Sequence, residues 1–159
     1  MAYIRLANFF ELYSIRTNGT ENVLYRYNNS VPGNTLRYSD KNFDYLSFIY
    51  QGAAKNRTGD NLEAQLVLAV NPISTGLARE AVKNNYLVRV YSAVMNDNDT
   101  VNKVLTEENW LAASLSYDCE TLEVILSSAI DAVGANAPTR VLTRGIVGNL
   151  PVTGNINTQ

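Results

Sequence analysis

Short apolar runs broken by turn residues cover most of the chain. Phe9 to Ile15 (FFELYSI) reads as a strand, and Asn18-Gly19 behind it is a hairpin signal. Val23 to Tyr27 (VLYRY) alternates and returns as the partner strand. Strands are predicted over Thr35 to Ser39 and, after a turn, over Phe43 to Tyr50. Leu62 to Val70 alternates at first and then turns wholly apolar, as a strand entering a core would; Pro72 ends it. Ser74 to Tyr86 (STGLAREAVKNNY) has helical spacing. There Ser74 or Thr75 is placed to cap, and Leu77, Ala81, Val82 and Tyr86 share one face. Leu87 to Met95 is β-rich and closes on the acidic turn NDNDT. Val101 to Leu105, Trp110 to Tyr117 and Leu122 to Ala129 are further strands, the last two forming a hairpin around Asp118 to Glu120.

The pattern changes after Ala132. Residues 133–159 carry two Gly-flanked apolar patches, two prolines, two arginines and no acid, without any period. An arm that orders against a neighbour fits this composition, and so does a disordered tail. The expected architecture is therefore mainly β: an antiparallel barrel or sandwich over 1–132, with one short helix and an extended C-terminal arm over 133–159.

Composition narrows the chemistry more than the fold. The 159 residues include no histidine and one cysteine, Cys119. No imidazole is present as base or metal ligand, no Ser-His-Asp or Cys-His pair can form, and no structural zinc site can be built. A chain of this length buries about two-thirds of its unfolded surface and needs no staple to fold. The net charge of −2 gives no general attraction to nucleic acid. No signal peptide or membrane-spanning run is expected, so membrane insertion is not predicted. Asparagine is abundant, 20 residues in all, and implies many turns. The four sequons at Asn18, Asn28, Asn56 and Asn98 follow from that abundance.

A few clusters could carry chemistry. Asn96, Asp97, Asn98 and Asp99 form an oxygen-rich loop that could hold calcium, but it lacks the glycine and distant glutamate of an EF-hand, and a solvated turn explains it as well. Glu107, Glu108, Asp118, Glu120 and Glu123 are carboxylates that a glycosidase would need as a pair, although their spacing defines no pair and exposed strand positions account for them. Tyr25, Tyr27, Tyr38, Tyr45 and Tyr50 crowd the N-terminal half. Tyr25 and Tyr27 share one strand face, which is either core or interface. Arg140 and Arg144 in TRVLTRG could clamp carboxylates on a partner. Cys119 has no basic neighbour to activate it. No phosphate-binding glycine motif occurs, so the residues themselves indicate no enzyme, no cofactor and no metal.

The order of elements carries a resemblance. An opening hairpin (FFELYSI, VLYRY) is followed by aromatic strands (NTLRYSDKNFDYLSFIYQG), a strand ending in proline (NLEAQLVLAVNP) and a short helix (TGLAREAVKNNY). Then come VRVYSAVMND, the hairpin WLAASLSYDCETLEVILSSAID and the phrase APTRVLTR. Over roughly 9–144 this resembles the minor tail protein L family of lambda-like phages and related tail-hub and distal-tail proteins, with Pro138-Thr139-Arg140 matching the family's Pro-Xaa-Arg phrase. Full-length members carry four further cysteines associated with an iron–sulfur cluster. This sequence has Cys119 alone, so the resemblance is to the N-terminal hub domain and implies no cluster. It implies a structural virion protein of a tail tip or baseplate. Such a protein would assemble as a ring or trimer (or hexamer) with copies of itself and other tail-tip proteins, in the host cytoplasm. Inter-subunit contacts would then fall in the arm at Arg140, Arg144, Ile146, Val147 and Leu150. A carbohydrate-binding β-sandwich of a tail or lectin-type protein is the alternative; it would need Tyr and Trp exposed together in one groove.

Overall fold

The structure is a computed structural model and describes residues 4–30, 32–52 and 63–128. The elements in chain order are β1 (Arg5–Ile15), β2 (Glu21–Asn28), β3 (Leu36–Tyr38), β4 (Lys41–Tyr45), β5 (Phe48–Gln51), β6 (Ala64–Ala69), α1 (Pro72–Lys83), β7 (Leu87–Met95), β8 (Val101–Tyr117) and β9 (Thr121–Ser127). The strands form one sheet in the order β3-β4-β2-β1-β7-β8-β9-β6-β5. The expected mainly-β class with one helix is present. Among the described residues the sheet does not close, and it is mixed, because β2 and β4 pair in parallel through Tyr27–Asp44 and Asn28–Tyr45. The arm of residues 133–159 lies outside the described residues.

A short link determines the shape. Strands β4 and β5 lie seven places apart in the sheet order, yet only Leu46 and Ser47 separate them in sequence. Three residue steps reach about 11 Å, whereas seven strand spacings in a flat sheet would need about 34 Å. The sheet therefore curls until its ends meet. At the meeting point the Leu46 N–H donates to the Asn28 carbonyl (2.9 Å), and the Asn29 amide donates to the Phe48 carbonyl (3.2 Å). The Phe48 ring stands edge-on to Phe10 of β1 at 4.8 Å.

Curling gives the sheet a concave face, which holds the main core. Phe10, Leu12, Val88, Val90, Trp110 and Leu126 point into it, and α1 fills it with Leu77, Ala78 and Ala81. A second core lies on the opposite face, where Phe9, Tyr91 and Met95 pack under Leu36 and Phe43 of the β3–β4 hairpin. Phe9 is stacked on Tyr91 (4.9 Å) and meets Phe43 edge-on (4.9 Å). Strand β1 is thus covered on both faces, which explains why FFELY reads as a solid run instead of alternating.

Several boundaries differ from expectation. Pro72 ends β6 but also opens the helix, where its missing N–H costs nothing. The cap is Asn71 in place of Ser74 or Thr75: its side chain accepts from the Ser74 N–H (2.8 Å), and the Ser74 hydroxyl accepts from the Asn71 N–H (3.0 Å). The helix stops at Lys83 because Asn85 turns left-handed (φ 50°), so Tyr86 packs against the core from outside it. The predicted strand over 43–50 breaks at Leu46–Ser47, while the two predicted over 101–105 and 110–117 are one strand of 17 residues. The Asn18-Gly19 hairpin forms as expected, with Gly19 at φ +82° and the Arg16 N–H bonded to the Thr20 carbonyl (2.9 Å).

Because Phe10 is fully buried where β1, β2 and β5 meet, Phe10→Ala should lower unfolding free energy by about 3–5 kcal/mol. The exposed helix residue Ile73 should tolerate alanine within about 0.5 kcal/mol. Urea melts of both variants measure the contrast, and equal losses would contradict this placement of the core.

Candidate functional site

The most concentrated chemistry lies on the face of the sheet opposite the helix, around Glu11. This residue sits midway along β1, and its strand register places arginine on either side: Glu11 pairs with Arg26 of β2 and with Arg89 of β7. Lys41 reaches it from the start of β4. The Glu11 side chain has no exposed surface. Its Oε1 accepts from Arg26 Nε (2.9 Å) and Lys41 Nζ (2.9 Å), and its Oε2 accepts from Arg89 Nη1 (3.4 Å) and the Tyr91 hydroxyl (3.3 Å).

Arg89 extends the network. It also binds Glu21 (2.6 Å), Glu107 (3.5 Å) and Asn109 (3.1 Å), and its guanidinium lies 4.7 Å from the centre of the Tyr13 ring. Three carboxylates therefore face three cations, and the cluster leaves no surplus charge to attract an ionic ligand. Burial alone would push the Glu11 carboxyl up. Hydrogen bonds from Lys41 and Arg26, together with their charges, outweigh burial and hold it below its ordinary value. Tyr91 is pushed up to about 12 by burial and the neighbouring Glu11 charge, so it stays a hydrogen-bond donor. A carboxylate so fully occupied has no free oxygen to act as base or nucleophile. It ties β2, β7 and the β3–β4 hairpin to β1.

Two smaller polar groups flank the helix side. Trp110 Nε1 donates to the Tyr50 hydroxyl (2.9 Å), which in turn donates to Glu108. Burial first and Glu108 second raise the Tyr50 pKa, so the phenol does not ionise near neutrality. Glu80 of α1 accepts from the hydroxyls of Tyr25 and Tyr86, each at 3.1 Å. This bond joins the helix to β2 across the concave face.

The carboxylates singled out in the sequence do not converge as a pair. Glu107 lies opposite Tyr91 and Glu108 opposite Val90, so neighbouring positions on β8 send them to opposite faces. Asp118 and Glu120 lie in the β8–β9 turn, where Asp118 accepts from the Cys119 N–H (2.7 Å), and Glu123 pairs with Ser116. Among the described residues no three acidic or cysteine side chains gather in a way that could hold a metal. The Asn96–Thr100 segment is the β7–β8 turn, closed by the Asn96 N–H on the Thr100 carbonyl (2.9 Å), and the Asp99 carboxylate is bound to Arg5 (2.8 Å). Beside it an open cleft of about 400 Å³ is lined by Asn34, Thr35, Arg37, Asn98, Asp99 and Thr100.

The tyrosines divide. Tyr25 and Tyr27 have nearly parallel rings 6.3 Å apart and pack against the main core, and Tyr38 packs against Phe9 and Tyr91. Tyr45 is exposed. Trp110 is only 3% exposed, so it cannot share an open groove with them. Cys119 is exposed. Arg140, Arg144, Ile146, Val147 and Leu150 lie outside the described residues. Sequence reasoning missed Glu11, and its signal was an acid inside FFELY, flanked on both sides by apolar residues in one strand. An acid in such a position is buried only when paired. No protein-family model and no curated protein matches the chain.

Replacing Glu11 by glutamine leaves the cations without their charge partner, although Arg26 and Lys41 are about one-third exposed and can turn to water. Glu11→Gln should therefore cost about 3 kcal/mol, the lower end for breaking a buried pair. Because the folded pKa lies below the unfolded one, the carboxylate's contribution is complete above the ordinary value of 4.5 and is lost as pH falls through the lower folded value. The stability gap between wild type and Glu11→Gln should accordingly narrow below pH 4.5. A gap that stays constant down to acid unfolding would contradict the ion-pair account.

Proposed function

We propose that this chain is a structural subunit of a phage tail tip or baseplate. It forms a symmetric ring or trimer that links the tail tube to the central hub or spike, and its place is the virion. The order of elements resembling the minor tail protein L family supports this reading. The observation that carries it physically is a sheet, unclosed among the described residues, that leaves large apolar side chains exposed on an interior strand and on an edge strand. Leu6 of β1 lies opposite Val94, next to Ile4, and these two β1-side residues are 67% and 76% exposed. Ile49 on the edge strand β5 is 62% exposed. Open edges and exposed apolar side chains invite pairing with other chains, and closed rings bury them. The buried carboxylate of Glu11 fits the same reading, because it is spent on Arg26, Lys41, Arg89 and Tyr91.

Partners on this view are copies of the same chain, as a trimer or hexamer, and neighbouring tail-tip proteins. Arg140, Arg144, Ile146, Val147 and Leu150 supply contacts onto the neighbouring subunit. Catalysis plays no part, and no cofactor is required. The carbohydrate-binding alternative needs an exposed Trp beside exposed Tyr, and the buried Trp110 does not provide one.

Truncation after Ala132 should leave a folded monomer, whereas the full chain assembles. Sedimentation velocity on the two proteins, with circular dichroism as the check on folding, separates the cases. A truncated chain that assembles like the full one would exclude the arm as the source of contacts.

A further inference from the structure

The open cleft of about 400 Å³ beside the β7–β8 turn is the size of an ordinary small-ligand site. Its two lips come from different parts of the chain. Asn34, Thr35 and Arg37 form one, and Asn98, Asp99 and Thr100 form the other. Both lips are seated on the second core. Leu36, between Thr35 and Arg37, is buried within that core, and Val101, next to Thr100, packs against it. The lips are also braced by their own bonds. The Asn96 amide donates to the Thr100 hydroxyl (3.0 Å), which donates to Asn98 Oδ1 (2.6 Å), and Arg5 holds one oxygen of Asp99 (2.8 Å). The Thr35 hydroxyl donates to Asp44 (3.4 Å), and Arg37 is paired with Asp40 (3.1 Å). The cleft is thus shaped before any ligand arrives, which lowers the cost of binding.

We propose that this cleft binds the hydroxyl groups of a neutral saccharide. The chemistry of the lining selects the class. Every lining side chain is polar, so nothing in the cleft favours an apolar ligand. Its charges are matched, Arg37 by Asp40 and Asp99 by Arg5, so no net charge draws an ion. Among the described residues, what remains uncommitted is a mixture of donors and acceptors. Asn98 keeps its amide nitrogen, Asp99 its second carboxylate oxygen, and Arg37 the N–H groups that Asp40 leaves unused. Asn34 adds a carboxamide on the first lip. Such a set is satisfied by closely spaced groups that each donate and accept while carrying no charge. Vicinal hydroxyls have that property: one can accept from Asn98 while its neighbour donates to Asp99. An open, polar cleft without an aromatic platform implies weak binding, with a Kd of roughly 1–10 mM for a single sugar. This inference does not rest on the tail-protein reading, and it needs no exposed tryptophan.

Amide chemical shifts of the full chain, followed by NMR during titration, test it. The probes are glucose, galactose, mannose and N-acetylglucosamine, with acetate and phosphate as ionic controls. At least one sugar should give saturable shifts confined to the two lips and their sequence neighbours. Asn34 and Arg37 are exposed, so alanine at either position leaves both cores intact. Asn34→Ala and Arg37→Ala should each weaken binding about 10-fold. Glu120→Ala, in the turn at the far end of β8, should leave it unchanged. No saturable shift with any of the sugars would overturn the proposal. So would saturable shifts elsewhere on the protein, or shifts at the cleft produced by acetate or phosphate and not by sugar. Binding that survives both alanine variants would overturn it equally.

Discussion

The fold depends on a link of two residues. Leu46 and Ser47 join strands near opposite ends of a nine-stranded sheet, and no flat sheet can satisfy that connection. The curl that results creates the concave face, and the concave face accepts α1. The bonds from Leu46 to Asn28 and from Asn29 to Phe48 are the local fastening. The Phe10–Phe48 contact makes the same closure favourable in apolar terms. Among the described residues closure stops short of a continuous ladder, so the sheet keeps open edges.

The outer face is held differently. Near the middle of β1 the sheet is pinned by charge, with Glu11 caught between Arg26, Arg89 and Lys41. Lys41 comes from the β3–β4 hairpin, so the same ion cluster anchors that hairpin over the second core. Its register-specific placement makes strand slippage costly, since a one-residue slip would move the carboxylate to the apolar concave face. The arrangement fixes the register of β1 against β2 and β7 and holds the β3–β4 hairpin in place.

Much of this was legible in the sequence. The strands, the hairpin at Asn18-Gly19, the β8–β9 hairpin and the helix face with Leu77 and Ala81 all followed from period and turn residues. The misreadings have local causes. Ser74 resembled a cap because its hydroxyl does serve the cap, from the third helical position. The polar stretch TEEN resembled a break in β8, yet Glu107 and Glu108 each find a partner, on opposite faces of the strand. The parallel β2–β4 pairing was not legible, because it depends on how far the sheet curls. Glu11 was legible in principle: an acid amid Phe9, Phe10, Leu12 and Tyr13 is a buried charge in need of cations, but which cations answer it depends on register.

The most direct test of the proposal that this chain assembles with copies of itself is the mass of the full chain in solution by multi-angle light scattering over a range of concentrations. The account predicts one discrete trimer or hexamer. A monomer at every concentration would contradict it.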